Sequence, residues 1–394
     1  MGFYLGKHLV SAEDFDYWTL EEIFKTAELA EVMTGDRYGR EGITQILRDE
    51  TAKPQKALIY TPNDPSLRTA IGSLNAVRMC GGMADTYQGL FSPFSKKVAN
   101  PSGPKGESLF SIVRTAVILG YDIIFIRNDQ IREENTFRNI ADLCEQIKLP
   151  ISIISMGEGD IEHPLQMLAD LATIREAKKQ ELLNGTLNIA FVGDVEDSRT
   201  FHSLAFGLAH YGGNLYLLSP PNNVFPEKIW ERVASFNQKA ILQKGYPRST
   251  LLPHDVLQEG KGGLKRCCVR DPMEVAGEID VWVFSRFQKN LKDLDKKTLA
   301  LREKEYQLYS ANDALRQTMK KDAIVIHPLP HGIEFPDELD LDIDPRFRHW
   351  RGVEKGLWTK IGLLKECFNK NYSLLAFWNQ VRHKSKAEAF SRVK

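Results

Sequence analysis

The sequence predicts an α/β protein of two doubly wound parallel-sheet domains joined by crossing helices. Three observations carry this expectation. Apolar runs of strand length recur along the chain, amphipathic segments of helix length separate them, and 394 residues exceed what a single core usually fills. The runs lie at 57–60, 122–126, 151–154, 188–192, 215–218, 281–284 and 323–326. They are nearly continuous rather than alternating, as strands covered by helices on both faces require. No long linker separates them, so two domains fit better than one oversized sheet. The expected division is 1–160, with a helical segment 356–394 packing back on it, and 161–355. The crossovers are expected near Gly157-Glu158-Gly159-Asp160 and again over 356–368.

Helical signals lie between the runs. Thr19, Leu20, Glu21 and Glu22 read as a capping box opening a helix toward Met33. A second helix is predicted over 107–119. A third spans 163–179, where Leu165, Leu168, Leu171 and Ile174 form a stripe of helical period. No internal repeat or low-complexity tract interrupts the pattern.

Composition narrows the function. Lys+Arg and Asp+Glu are 52 each, and this zero balance argues against a general polyanion binder, which needs surplus cations to displace counterions. A small anion held in one pocket stays open. At 42% hydrophobic and 26% charged, the composition is globular rather than disordered or collagen-like. The cysteines Cys80, Cys144, Cys267, Cys268 and Cys367 are odd in number and form no CxxC pair, so neither a disulfide framework nor a zinc site is expected. Lys7, His8, Glu13, Asp14 and Asp16 stand where a signal peptide needs an apolar core, and Gly6 stands where a myristoylation motif needs Ser or Thr. The most apolar stretch, 116–126, is broken by Gly120, Tyr121 and Asp122 and is too short to span a bilayer. A cytoplasmic location is the expectation.

In open α/β sheets ligands gather at the carboxyl ends of strands, and helix N-termini there attract anions. After the first run, Ser66 can cap the following helix, leaving backbone N–H groups, the Thr69 hydroxyl and the Arg68 guanidinium around one phosphate-sized point. A capped helix with a solvated arginine fits the same spacing. Arg127 follows the second run. His163-Pro164-Leu165-Gln166 follows the third, with His163 and Gln166 one turn apart. In the second half, residues 193–200 open a helix containing His202 and Ser203. Arg286 to Gln288 and His327-Pro328-Leu329-Pro330 end later runs. There is no GxGxxG at a strand–helix junction, no GxxxxGK[ST], no HExxH and no GxSxG. No metal and no cofactor is expected.

These fragments resemble, in consistent order from about Tyr4 to about Leu364, the aspartate/ornithine carbamoyltransferases. Pro65 to Thr69 resembles the carbamoyl-phosphate signature, and Ser102 to Glu107 resembles the mobile loop that reaches a neighbouring subunit's site. Arg127 and the HPLQ segment stand where further carbamoyl-phosphate ligands lie. VGDVEDSRTFHSL, FSRFQK and HPLP match the amino-acid domain. The resemblance implies a carbamoyl-phosphate domain followed by an amino-acid domain. It also implies catalytic roles for Arg68, Thr69, Lys105, Arg127 and His163. Substrate-binding roles are implied for Ser66, Leu67, Ser102, Gln166, Arg199, Arg286, Gln288, Leu329 and Pro330. Partners implied are carbamoyl phosphate and L-aspartate, and a homotrimer in which Ser102 and Lys105 act in the neighbouring site. A regulatory subunit is compatible with the sequence.

Two arginines, Arg199 and Arg286, suit a dicarboxylic acceptor better than cationic ornithine. His327-Pro328-Leu329-Pro330 stands where ornithine-type members carry His-Cys-Leu-Pro. Departures are local. Leu67 replaces a signature threonine, and Ala70 and Leu74 replace an arginine and an acidic residue. Glu196 replaces a basic residue, Leu291 an arginine, and His331 the arginine that follows HPLP in aspartate-type members. Three function classes fit these residues: a carbamoyltransferase acting on aspartate, one acting on another amino-acid-like acceptor, and a weakened paralogue that binds ligand or a partner.

Overall fold

The computed structural model of the chain describes residues 8–48, 51–62, 66–88, 108–129, 131, 134–243, 263–269, 271–286, 304–335 and 344–391. Two compact units emerge: 1–165 together with 355–394, and 166–354.

The first unit holds a four-stranded sheet in the order β2-β1-β3-β4, every pair parallel. The strands are β1 (Lys56–Tyr60), β2 (Met83–Tyr87), β3 (Ile123–Asn128) and β4 (Ser152–Glu158). Leu58, Tyr60, Ile124, Ile126 and Ile153 point to one face, as the two-residue pleat requires. There they pack with Leu109, Ile112 and Val113 of α4 (Leu109–Ile118) and with Phe137, Ile140 and Cys144 of α5 (Thr136–Gln146). β3 is buried along its whole length, which explains its unbroken apolar sequence.

The second unit holds a five-stranded parallel sheet in the order β7-β6-β5-β8-β9. Its strands are β5 (Asn188–Gly193), β6 (Gly213–Leu218), β7 (Leu264–Cys268), β8 (Val281–Ser285) and β9 (Ile324–Ile326). Ala190, Val192, Trp282, Phe284 and Val325 form one buried face. On the other, Phe191 stacks on Phe201 of α8 (Arg199–Ala209) with ring centroids 4.4 Å apart. The helix α6 (Pro164–Ala177) lies so close to α8 that a β-carbon on Gly207 would meet Leu171 Cδ1 at 2.6 Å.

All seven apolar runs form strands. β2 and β7 were not expected from the sequence. Each is a sheet edge with one neighbour, and Met-Ala-Asp-Thr-Tyr and Leu-Lys-Arg-Cys-Cys lack the apolar continuity of a central strand. The Gly157–Asp160 segment is only partly a connection, because β4 continues through Glu158 and turns at Gly159 (φ +53°). The division between units falls later, at 165/166 inside α6. The capping box at Thr19 does not form. Asp16 caps α1 (Tyr17–Met33) by accepting from the Thr19 backbone N–H at 2.7 Å, and Glu22 pairs with Lys25 instead. The chain after Asn371 forms α13 (Leu374–Ser391), reached from α12 (His349–Phe368) and packed on α2 (Arg37–Ile43) and α1. Phe377 fills the space a side chain at Gly42 would need, and the Tyr372 hydroxyl donates to the Gly42 carbonyl at 2.9 Å.

Gly193 ends β5 at φ +112°, and a β-carbon there would stand 2.3 Å from the Ser285 carbonyl oxygen of β8. Both the backbone conformation and the space exclude a side chain. Gly193→Ala is expected to destabilise the chain by about 2 kcal/mol or more, read as a melting temperature several degrees lower. An unchanged melt would contradict the packing described for β5 and β8.

Candidate active site

A doubly wound sheet leaves a crevice where its winding reverses. In the first unit that point lies between β1 and β3, whose register pairs Tyr60 with Ile126. The segments leaving these strands therefore start side by side. After β1 the chain enters a π turn, Leu67–Ile71, which leads into α3 (Gly72–Met79). Such a wide turn is uncommon and recurs at functional sites. It is held by Ala70 N–H donating to Ser66 O at 2.8 Å and by Gly72 N–H donating to the carbonyls of Arg68 and Thr69.

Ser66 makes no side-chain cap, contrary to the expectation from sequence. Its hydroxyl donates to Thr69 Oγ1 at 3.1 Å instead. The π turn moves the backbone donors out of the position that an α-helical cap would need. Thr69 is buried, whereas Leu67 is 72% exposed. Leu67 therefore contributes its backbone to this turn and little packing.

Arg127, near the end of β3, and His163, just before α6, are both buried. Arg127 Nη1 lies 3.5 Å from His163 Nε2, and Nη2 donates to Asp129 at 3.0 Å. A guanidinium can only donate, so His163 accepts through Nε2 in this arrangement. Three elements thus deliver Ser66, Thr69, Arg127 and His163 to one edge of one sheet.

Beside them β4 ends in Glu158, whose carboxylate accepts from Phe137 N–H at 3.0 Å. Burial pushes its pKa up to about 7, and the neighbouring Glu162 adds to the rise. Glu162 is itself held by the Ser11 hydroxyl and Ala12 N–H. In the second unit Gln166 donates to Asp170 at 2.9 Å, and burial raises Asp170 to about 7 as well.

The second unit repeats the scheme between β5 and β8, where Gly193 pairs with Ser285. Asn223 organises the loop after β5. Its Oδ1 accepts from Val195 N–H at 2.7 Å, and its Nδ2 donates to Asp194 at 2.7 Å. Ser198 and Ser285 hydroxyls lie 2.9 Å apart and tie the two strand ends together. His202 Nε2 lies 3.0 Å from the Glu196 carbonyl and therefore donates to it. These bonds set the start of α8, where Arg199 stands, while Arg286 follows β8 and is exposed.

After β9, Leu329 adopts φ +56° and precedes a cis bond to Pro330. Leu329 N–H donates to His327 Nδ1 at 2.8 Å, which leaves the ring proton on Nε2, 3.1 Å from Glu334. Glu334 also accepts from Gly332 N–H at 2.7 Å. Burial holds His327 below its ordinary pKa against the opposing pull of Glu334. Burial also favours protonation of Glu334, but the bonds from His327 and the loop outweigh it, and its pKa is lowered.

Of the sequence-predicted residues, Ser102, Lys105 and Gln288 lie outside the described residues. Asn223 and Glu334, which position the site loops, lie outside the sequence-predicted residues, whereas Asp194, bound by Asn223, belongs to the 193–200 segment. An acidic residue seven positions after His327 was the only available sign of the pair. Among the described residues no cluster of His, Cys, Asp or Glu could hold a metal ion, and no helix is long and apolar enough to cross a membrane.

A family model for the aspartate/ornithine carbamoyltransferase carbamoyl-P binding domain matches residues 7–176, and one for the Asp/Orn binding domain matches 185–367. Aspartate carbamoyltransferase 1 (chloroplastic) of Pisum sativum is 31% identical over 91% of this chain and 77% of its own length. The aspartate carbamoyltransferase catalytic subunit of Clostridium botulinum is 29% identical over 91% and 96%. The solved catalytic subunit of M. jannaschii aspartate transcarbamoylase shares the fold at TM-score 0.66 and 24% identity, covering 92% of this chain and 97% of that one. Ornithine carbamoyltransferase from Pyrococcus furiosus gives the same TM-score at 20% identity, again over 92% and 97%.

Glu158 supplies a pH test. A carboxyl whose pKa rises to about 7 on folding binds its proton more tightly in the folded chain. Its stabilising contribution is complete below its ordinary value of 4.5 and is lost as pH rises through 7. Glu158→Gln keeps an oxygen for Phe137 N–H and removes that loss. The variant should match the parent near pH 4.5 and exceed it above pH 7 by on the order of 1–3 kcal/mol, read from melting temperatures across pH. A constant difference across that range would contradict the buried carboxyl.

Proposed function

The chain belongs to the aspartate/ornithine carbamoyltransferase family, and we propose that it transfers the carbamoyl group of carbamoyl phosphate to the amino group of L-aspartate. The products are N-carbamoyl-L-aspartate and phosphate, a step of pyrimidine biosynthesis. One observation carries the reading most: buried Arg127 meets His163 at the sheet edge that also presents the Ser66–Thr69 turn. Cationic and hydroxyl donors gathered at one switch point suit a phosphoryl group joined to a carbonyl.

In this reading Ser66, Arg68 and Thr69, with the backbone at Leu67, hold the phosphoryl group. Lys105 and Ser102 come from a neighbouring subunit of a homotrimer. Thr69, Arg127 and His163 face the carbamoyl oxygen, which becomes an oxyanion when the amine attacks. Gln166 accepts from the carbamoyl amide. Arg199, Arg286 and Gln288 take the two carboxylates of aspartate, and Leu329 and Pro330 present backbone beside the reacting carbon. As the C–N bond forms, the amine loses a proton and the C–O bond to phosphate breaks, with that electron pair leaving on phosphate. No covalent enzyme intermediate and no cofactor are required, so positioning and electrostatics carry the rate. A cytoplasmic location accompanies this reading, and a regulatory subunit is compatible with it.

His331 supports a second reading, in which the acceptor is another amino-acid-like amine. It stands near His327 and Phe335, with ring centroids 6.3 and 5.9 Å away. A carbamoyl-transfer assay with aspartate, ornithine and related amines separates the two. Turnover is expected with aspartate and not with ornithine, and Arg68→Ala should lower the rate by about two orders of magnitude or more. Turnover confined to another amine would replace the aspartate assignment. Near-normal turnover by Arg68→Ala would remove the phosphoryl site from this turn.

A further inference from the structure

Lys360 lies on α12 and is buried, with 5% of its surface exposed. Its ammonium donates to the Gly356 carbonyl, one turn back, at 2.7 Å. The same nitrogen stands 3.4 Å from where a β-carbon would sit on Gly72, and Lys360 Cε stands at 3.9 Å. Gly72 closes the π turn through its bonds to Arg68 and Thr69 and begins α3. A β-carbon on Gly72 would only be in van der Waals contact with the ammonium, which therefore stands beside the base of the turn.

A buried ammonium is costly without a counter-charge. Among the described residues no carboxylate lies within ion-pair reach of Lys360, and Ala70 and Leu74 supply none from the turn or α3. The helix dipole adds to the cost, because the start of α3 already carries partial positive charge. A cation placed here raises the potential of the turn and is itself relieved when an anion arrives.

We infer that Lys360 is an electrostatic positioning residue for the turn 66–72, with the dianionic phosphoryl group received there as its counter-ion. The inference rests on reading that turn as the phosphoryl site. Lys360 acts from behind the turn and does not need to touch the ligand. Burial lowers its pKa to about 8, and no charged side chain of α3, α12 or any other described element contributes to that shift. Arg68 is the turn's own cation. A dianion in the turn stabilises the charged form of Lys360, so binding above pH 8 draws a proton from solution.

Calorimetric titration of the full chain with inorganic phosphate at about pH 8.5, in two buffers of different ionisation enthalpy, reads both affinity and proton uptake. The wild type should take up a proton on binding. Lys360→Arg keeps the charge without the titration, so affinity should persist and the uptake vanish. Lys360→Met should raise the phosphate Kd about tenfold or more and lose the uptake. Its ligand-free melting temperature should be unchanged or higher, since a buried unpaired charge has gone. A lysine needed only for packing would give the opposite pattern, a lower melt with unchanged phosphate affinity, and that result overturns the inference. Uptake persisting in Lys360→Arg overturns it too. If Lys360→Met does not fold, the wild type and Lys360→Arg decide the question. Phosphate binding equal in wild type and Arg68→Ala would instead remove the phosphoryl site itself, a failure distinct from that of Lys360.

Discussion

A parallel sheet is wound by crossovers that return over one face or the other, and where the winding changes face the two central strands send their loops apart. That constraint creates the functional ground of this protein twice. In the first unit it falls between β1 and β3, in the second between β5 and β8. Each site residue that the structure describes, apart from Gln166, Leu329 and Pro330, stands within one of the segments that leave these strands or beside them. The geometry of the proposed site is therefore set by strand pairing, and the local bonds only refine it.

The refinements are polar and buried. In the first unit Arg127 meets His163 while Ser66 holds Thr69, so the turn after β1 and the end of β3 are each fixed from within. In the second, the Ser198–Ser285 contact joins the loops after β5 and β8, and Asn223 saturates the donors of the intervening turn. The His327–Glu334 pair holds the loop carrying Leu329 in a left-handed conformation that a leucine would not choose unaided. Where such groups are buried, leaving one partner bare costs more than the bond itself contributes.

The central strands were legible in the sequence because burial on both faces writes an unbroken apolar run, as in β3 and β5. β2 and β7 were not, because these two edges are largely exposed or half-buried, whereas β4 and β9, also edges, are buried throughout. Arg68, Thr69, Arg127 and His163 stand out in the sequence because each lies in the segment that follows an apolar run. What sequence spacing could not supply was competition between partners. Asp16 takes the Thr19 N–H and cancels an apparent capping box. The π turn likewise sends the Ser66 hydroxyl to Thr69 rather than to a helix N–H. Glu334 and Asn223 act across loops, and no periodicity marks them. The charge balance of 52 against 52 concealed Lys360, whose significance comes from burial and from its place beside Gly72.

The central claim is that one switch point receives a phosphoryl group, the other a dicarboxylate, and that a single reaction uses both. The most direct measurement is the affinity of the full chain for N-(phosphonacetyl)-L-aspartate, set beside those for phosphate and aspartate titrated separately. A molecule that occupies both half-sites gains the second at high effective concentration, so it should bind about a hundredfold or more tighter than phosphate alone. Affinity no better than that of phosphate would contradict the claim and leave two unconnected anion sites.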